Sequence, residues 1–302
     1  MFQILHRIQT ENFNNRLEPV ARIISMQSDN KLSPIGVFDS GFGGLTILKS
    51  LTEELSEYDY IYLGDNARTP YGTRSFETVY QYTLECVKKL FSMSCQLVIL
   101  ACNTASAKAL RSIQQKDLAM IDPDRRVLGV IRPSAEEIGK LTKTGVVGVL
   151  GTNGTVQSES YVLEIKKLFP DVNVYQEACP MWVPLVENNE YSGDGADYFV
   201  QKHLNNLIQR DSRLDTIILG CTHYPLLMDK IMKYTPPHIN IISQGEIVAK
   251  SLKDYLHRHP EMEQRCSKNG SRVYYTTESA KHFDHQASVF SGEPVKSIHL
   301  AL

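Results

Sequence analysis

Six cysteines are spread over the 302 residues with no CxxC pair and no zinc-finger or zinc-ribbon spacing, which argues against a structural metal site and, in a reducing compartment, against a disulfide framework. No apolar run reaches the length needed to span a bilayer, and residues 1–33 lack the uninterrupted apolar stretch of a secretory signal, so a cytoplasmic protein with no membrane partner is expected. Charge of one sign does not accumulate either. The formal net charge is −2, with acidic and basic residues intermingled, and no basic stripe is available for a nucleic-acid backbone. The nine histidines are dispersed. The two close pairs, His257 with His259 and His282 with His285, have no partnering cysteine or acidic cluster; they read as solvated helix faces, and no metal is expected. The single tryptophan, Trp182, reads as a packing residue.

What the chain does contain is one construction used twice. Residues 97–106 read LVILACNTAS and residues 216–225 read TIILGCTHYP. In each, β-favouring residues lead to a small residue, then Cys102 or Cys221, then polar side chains at a helix start. The repeat extends further. IGVFDSG from Ile35 parallels VGVLGTNG from Val147, which sets Asp39 opposite Gly151, and Pro70 in DNARTPYG parallels Pro184 in ACPMWVPLVE. The spacing between paired positions grows slowly along the chain, as expected of a diverged duplication with loop insertions. The length accommodates two cores.

Strands are expected at 35–38, 59–63, 97–101, 127–131, 146–150, 172–176, 216–220, 239–243 and 272–276. Helical periodicity covers 43–56, 75–93, 103–117, 134–142, 156–169, 194–210 and 245–259. Such alternation predicts two related α/β domains with parallel sheets and ligands at the C-terminal ends of the strands, where all of these motifs fall. Residues 1–33 are polar and irregular, contribute no site motif and are read as an N-terminal extension, with Met26 as an alternative start.

A thiol at a helix N-terminus feels the helix dipole and nearby N–H groups, which favour thiolate. Alone, Cys102 reads first as a buried strand-end cysteine; the matched Cys221, followed by Thr222 and His223, reverses that and favours a chemical role for both. Two facing thiols suit the removal of a proton from one face of a carbon and the return of one to the other. A cysteine protease has no use for a second equivalent thiol, and a thiol oxidoreductase keeps its sulfurs within bonding reach. The other class open to this pattern is a two-domain binding protein that closes on an amino acid without chemistry. In FDSGFGG the GxGxxG dinucleotide pattern is not matched, and Asp39 would repel a pyrophosphate. Asp39 suits an ammonium group or help to a nearby thiol, while Ser40, Asn103, Thr104 and Thr222 can donate to a carboxylate or serve as helix caps. Cys86 and Cys95 read as small core residues.

Taken together, FDSGFGGL, LGDNARTPYG, ILACNTAS, GTNGTVQSESY, ACPMWVPLVE and LGCTHYPLL resemble the bacterial glutamate racemases, from about Pro34 to the C-terminus. The resemblance implies a cofactor-independent isomerase that converts L-glutamate to D-glutamate for peptidoglycan precursors. It implies Cys102 and Cys221 as the catalytic acid/base pair, with Asp39 assisting the first, His223 the second, and Glu187 a further carboxylate near the second. Substrate contacts would come from Asp39, Ser40, Tyr71, Gly72, Asn103, Thr104, Thr152, Thr222 and His223. The implied organisation is a first domain of 34–128 plus 245–302, a second of 129–244, a site between them, a homodimer, and a cell-wall precursor as a possible activator acting through the N-terminal extension. VIRPSAE and YYTTESAKHF depart from the family pattern, at the hinge and at the sheet edge rather than at the chemistry. An aspartate-specific relative would carry the same groups at Cα.

Overall fold

Ten strands alternate with helices across residues 32–302, which are the residues the structure, a computed structural model, describes. The extension and the alternative start at Met26 lie outside the described residues. In chain order the main elements begin with β1 (Ile35–Asp39), α1 (Gly44–Glu54), β2 (Tyr60–Gly64), α2 (Phe76–Ser92), β3 (Leu97–Leu100), α3 (Asn103–Lys108), β4 (Arg126–Gly129) and α4 (Ile131–Leu141). Then come β5 (Val146–Gly151), α5 (Asn153–Gln157), α6 (Ser160–Leu168), β6 (Asn173–Ala178), α7 (Trp182–Glu187), α8 (Asp194–Ile208), β7 (Thr216–Gly220) and α9 (Met228–Tyr234). The chain continues through β8 (Asn240–Ile242), α10 (Gly245–Arg258), β9 (Arg272–Thr276), α11 (Ala280–Ser291) and β10 (Ser297–His299).

The central strands β1, β2, β3, β5 and β7 are buried at every position. Continuous apolar runs of this kind fit strands covered by helices on both faces, and all strand pairings are parallel. They form a six-stranded sheet in the order β10-β9-β2-β1-β3-β4 and a four-stranded sheet in the order β6-β5-β7-β8. The second order repeats the β2-β1-β3-β4 portion of the first. The duplication read from the cysteine motifs is therefore a repeat of topology, with Cys102 and Cys221 each following the third strand of its unit. The six-stranded sheet draws on residues before β5 and after β8, so the chain crosses between sheets twice, through α4 and into α10. Helix α10 buries Val248, Ala249, Leu252 and Leu256 and packs on α1.

Several elements differ from the sequence expectation. The helix expected over 103–117 ends at Lys108 and is followed by a short helix, Leu110–Ser112, and a π-helical turn, Ile113–Asp117. The helix expected over 156–169 divides at Glu159, whose φ of 57° places it in the left-handed region. Helix α4 begins at Ile131, three residues early, because Pro133 is tolerated in a first turn. Helices α7, α9 and α11 and strand β10 were not anticipated. His282 and His285 lie exposed on α11, as solvated positions. Cys86 and Cys95 are fully buried, and Trp182 packs edge-on against Tyr224 with ring centroids 4.7 Å apart.

Candidate active site

Asp39 ends β1, and the loop after it carries Ser40 and Gly41 beside the thiol that follows β3. The Ser40 hydroxyl lies 3.2 Å from Cys102 Sγ. The same sulfur accepts the Ala105 backbone N–H at 3.5 Å, so Cys102 is the N-cap of α3. Asp39 is wholly buried. One of its oxygens accepts the Gly41 N–H at 2.9 Å, and the other, Oδ1, has no hydrogen-bond partner among the described residues. Burial raises its carboxyl above the ordinary range, against the pull of His223 and the Gly44 and Gly41 N–H groups. Burial, followed by the Asp39 charge, also pushes the Cys102 thiol up to about 12, with the Ser40 hydroxyl and Ala105 N–H opposing. At neutral pH Cys102 is held as a thiol.

The second thiol has a different neighbour. Cys221 Sγ lies 3.9 Å from His223 Nδ1, and the far nitrogen of the ring, Nε2, lies 3.0 Å from Glu187 Oε1. Glu187 ends α7, so this short helix, which the sequence reading did not assign, turns the carboxylate onto the histidine. Burial disfavours the imidazolium, but contact with Cys221 and Glu187 outweighs it and pushes His223 up to about 10. A protonated ring therefore stands beside Cys221. Cys102 and Cys221 are each nearly buried, at 7% and 6% exposure, so the polar groups beside them act on the sulfurs with little screening by bulk water.

The two halves meet. Thr46 Oγ1 donates to the Thr222 carbonyl at 3.1 Å. A Cβ placed on Gly43 would come within 2.4 Å of both His223 Nδ1 and Thr222 Oγ1, so only glycine allows the β1 loop to lie against the second thiol's loop. On the other side, the Thr104 and Thr152 hydroxyls are 3.0 Å apart, and the Gly154 N–H donates to the Gly72 carbonyl at 2.9 Å. The charges of each half act on the other: His223 lowers Asp39, and Cys221 raises Cys102.

The remaining expected positions divide. Gly72 lies in the interface against Thr152, while the buried Tyr71 side chain turns away, its hydroxyl bonded to Asp65. Arg68 holds the same Asp65 at 2.7 Å, so Asp65 anchors the loop that presents Gly72. The Asn103 side chain is engaged on both ends, its amide donating to Gln244 at 2.6 Å and its carbonyl accepting from Tyr161 at 2.7 Å. Three contributors escaped the sequence reading: Tyr161, Gln244 and Phe290, whose ring meets the His223 ring edge-on at 5.2 Å. Gln244 carried a usable signal, since Ser243-Gln244-Gly245 follows β8 in the same way as Thr152-Asn153-Gly154 follows β5.

Residues 35–252 match the family model described as Asp/Glu/Hydantoin racemase. A glutamate racemase of Persephonella marina is 44% identical over 219 residues, 72% of this chain and 81% of its own. Among solved structures, a glutamate racemase isoform from Bacillus anthracis superposes with a TM-score of 0.82 at 35% identity, covering 90% of this chain and 98% of its own. The Francisella tularensis glutamate racemase, solved with D-glutamate, gives 0.79 at 31% identity over the same shares.

Proposed function

Since the chain belongs to the Asp/Glu/hydantoin racemase family, we propose that it interconverts L- and D-glutamate by a two-base mechanism, without a cofactor, and supplies D-glutamate for peptidoglycan synthesis. The observation that carries this reading is the pair of topologically equivalent thiols, each with its own polar helper. In one direction the sulfur of one cysteine, as thiolate, takes the Cα proton and becomes a thiol. The electron pair left on Cα spreads into the α-carboxylate, and the opposite thiol gives its proton to the other face and becomes the thiolate. The reverse reaction exchanges the roles.

An amino acid's Cα–H is a very weak acid, so the site must bind the enediolate-like charge more strongly than the resting carboxylate. Donors from Ser40, Thr104 and Thr222 and from the Asn103 segment fill this role. His223 supplies the positive charge that a thiolate at Cys221 faces, with Glu187 holding its far nitrogen, while Asp39 and Ser40 assist at Cys102. Gly72 meets Thr152 on the β5 side, and Tyr71, bonded to Asp65, fixes the loop that presents it. The unit carrying Cys102 comprises 34–128 and 245–302, and the unit carrying Cys221 comprises 129–244. No helix among the described residues is long and apolar enough to cross a membrane, and the proposal places the enzyme in the cytoplasm as a homodimer.

The test is circular dichroism of L- or D-glutamate incubated with the protein, with aspartate in parallel. Decay of the glutamate signal to zero from both sides supports the reading; an unchanged glutamate signal overturns it. Activation by a cell-wall precursor through the N-terminal extension is a separate proposal, tested by starting the chain at Met26 and assaying with and without uridine-nucleotide muramyl-alanine. Loss of the response on truncation supports it.

A further inference from the structure

Behind the two thiols lies a closed ring of hydrogen bonds. The Asn103 amide donates to Gln244 Oε1 at 2.6 Å, Gln244 Nε2 donates to the Tyr161 hydroxyl at 2.7 Å, and that hydroxyl donates to Asn103 Oδ1 at 2.7 Å. Each participant gives one proton and receives one. Gln244 Nε2 also donates to Ser134 Oγ at 2.8 Å, and Ser134 donates onward to the Val130 carbonyl at 2.9 Å. Asn103, Tyr161, Gln244 and Ser134 are all buried, with none above 3% exposure. Satisfied buried polar networks hold their members in one arrangement, because each broken bond would leave a desolvated group unpaired.

The positions of the members give the ring its meaning. Asn103 follows Cys102 and opens α3. Tyr161 belongs to α6, on the four-stranded unit, and its ring lies against Gly220, where an added Cβ would come 3.1 Å from Tyr161 Cε2. Gly220 precedes Cys221. Val130 and Ser134 stand at the first crossing between the sheets, and Gln244 stands at the second, immediately before α10. One ring therefore touches the residue after one thiol, the residue before the other, and both places where the chain passes between the units.

We propose that Tyr161 and Gln244 are positioning residues that set the separation and aim of Cys102 and Cys221, through their hydrogen-bonded ring with Asn103. The proposal rests on the two-base reading above. Neither residue need touch the reacting carbon. Their effect comes from fixing two sulfurs on opposite faces of one atom, where a displacement of about 1 Å is enough to cost roughly a hundredfold in rate.

The experiment uses the full chain with Tyr161→Phe and Gln244→Ala, assayed with L- and D-glutamate carrying hydrogen or deuterium at Cα. Tyr161→Phe removes one oxygen, leaves the ring against Gly220, and releases Asn103 from its donor, so it retains the packing even where Gln244→Ala does not fold. The expected result for Tyr161→Phe is a fall in kcat of ~10-fold or more with KM changed less than about threefold. The primary isotope effect should rise for both enantiomers, and more for the one that Cys102 deprotonates, because the variant frees Asn103 but leaves the Tyr161 ring against Gly220. A purely structural role lowers the amount of active protein without raising the isotope effect for either hand. Wild-type kcat in Tyr161→Phe, or a lowered kcat with wild-type isotope effects for both enantiomers, would overturn the proposal while leaving the racemase reading intact. A wild-type protein that leaves glutamate unracemised would overturn the functional reading and this one with it.

Discussion

Glu187 Oε1 holds His223 Nε2 at 3.0 Å on the side of the ring away from Cys221, so the carboxylate that ends α7 adds to Cys221 in favouring the protonated ring. Glu187→Gln should lower His223 from about 10 towards its ordinary value of 6.5. Because the folded value lies above 6.5, protonation of His223 stabilises the fold fully below pH 6.5, and this contribution is lost as pH rises through about 10. The variant should show a smaller decline in Tm across that interval, and the alkaline limb of its kcat profile should move to lower pH. Unshifted limbs would remove Glu187 from control of His223.

Cys102→Ala and Cys221→Ala, taken singly, should each lower racemisation by ~1000-fold or more, since every turnover needs one thiolate and one thiol. The packing loss is small at either site, so circular dichroism of the protein should remain native. Near-normal turnover in both directions by either variant contradicts the two-base assignment.

Asp39→Asn should separate activity from stability. Its folded carboxyl titrates above 3.8, so ionisation opposes folding, and stability is lost as pH rises from about 3.8 through the folded value. The amide removes that cost. Thermal melts at pH 7 should show a Tm at or above wild type, while kcat falls and the isotope effect grows for the enantiomer deprotonated by Cys102. His223→Asn should enlarge the effect for the opposite enantiomer. Equal effects from both hands in both variants would show that the two helpers are not specialised.

Gly43→Ala tests close approach. The added methyl would meet His223 Nδ1 and Thr222 Oγ1 at 2.4 Å, and the histidine must move. A fall in kcat of ~10-fold or more with a Tm change of only a few degrees is expected; wild-type kinetics would show that the loop recedes freely.

A chelator and carbonyl reagents that trap pyridoxal phosphate should leave racemisation unchanged, whereas a thiol alkylator should abolish it. Loss on chelation with recovery on adding zinc would contradict the cofactor-free proposal.

Much of this arrangement could be read along the chain because parallel strands are local, continuous apolar runs and their C-terminal ends are where polar motifs collect. Asp39, Cys102 and Cys221 announce themselves in that way. Phe290 does not. It lies on α11, whose two buried phenylalanines sit among polar residues, and it reaches His223 only through the tertiary fold. Tyr161 looks like an ordinary apolar helix position, and Gln244 like a helix start. Their shared ring with Asn103 joins residues separated by 141 and 58 positions, a relationship that no local pattern encodes.

The repeated strand order also has a consequence for handedness. Superposing β2-β1-β3-β4 on β6-β5-β7-β8 requires a rotation, and a rotation cannot turn one wall of the cleft into the mirror image of the other. Mirror-image substrates therefore meet walls that are alike in plan but unlike in detail, with Asp39 answered by a glycine and His223 by a threonine. Each enantiomer is free to have its own affinity and its own turnover. The Haldane relation for an equilibrium constant of one then ties these together: whichever hand has the lower KM must turn over more slowly in the same proportion.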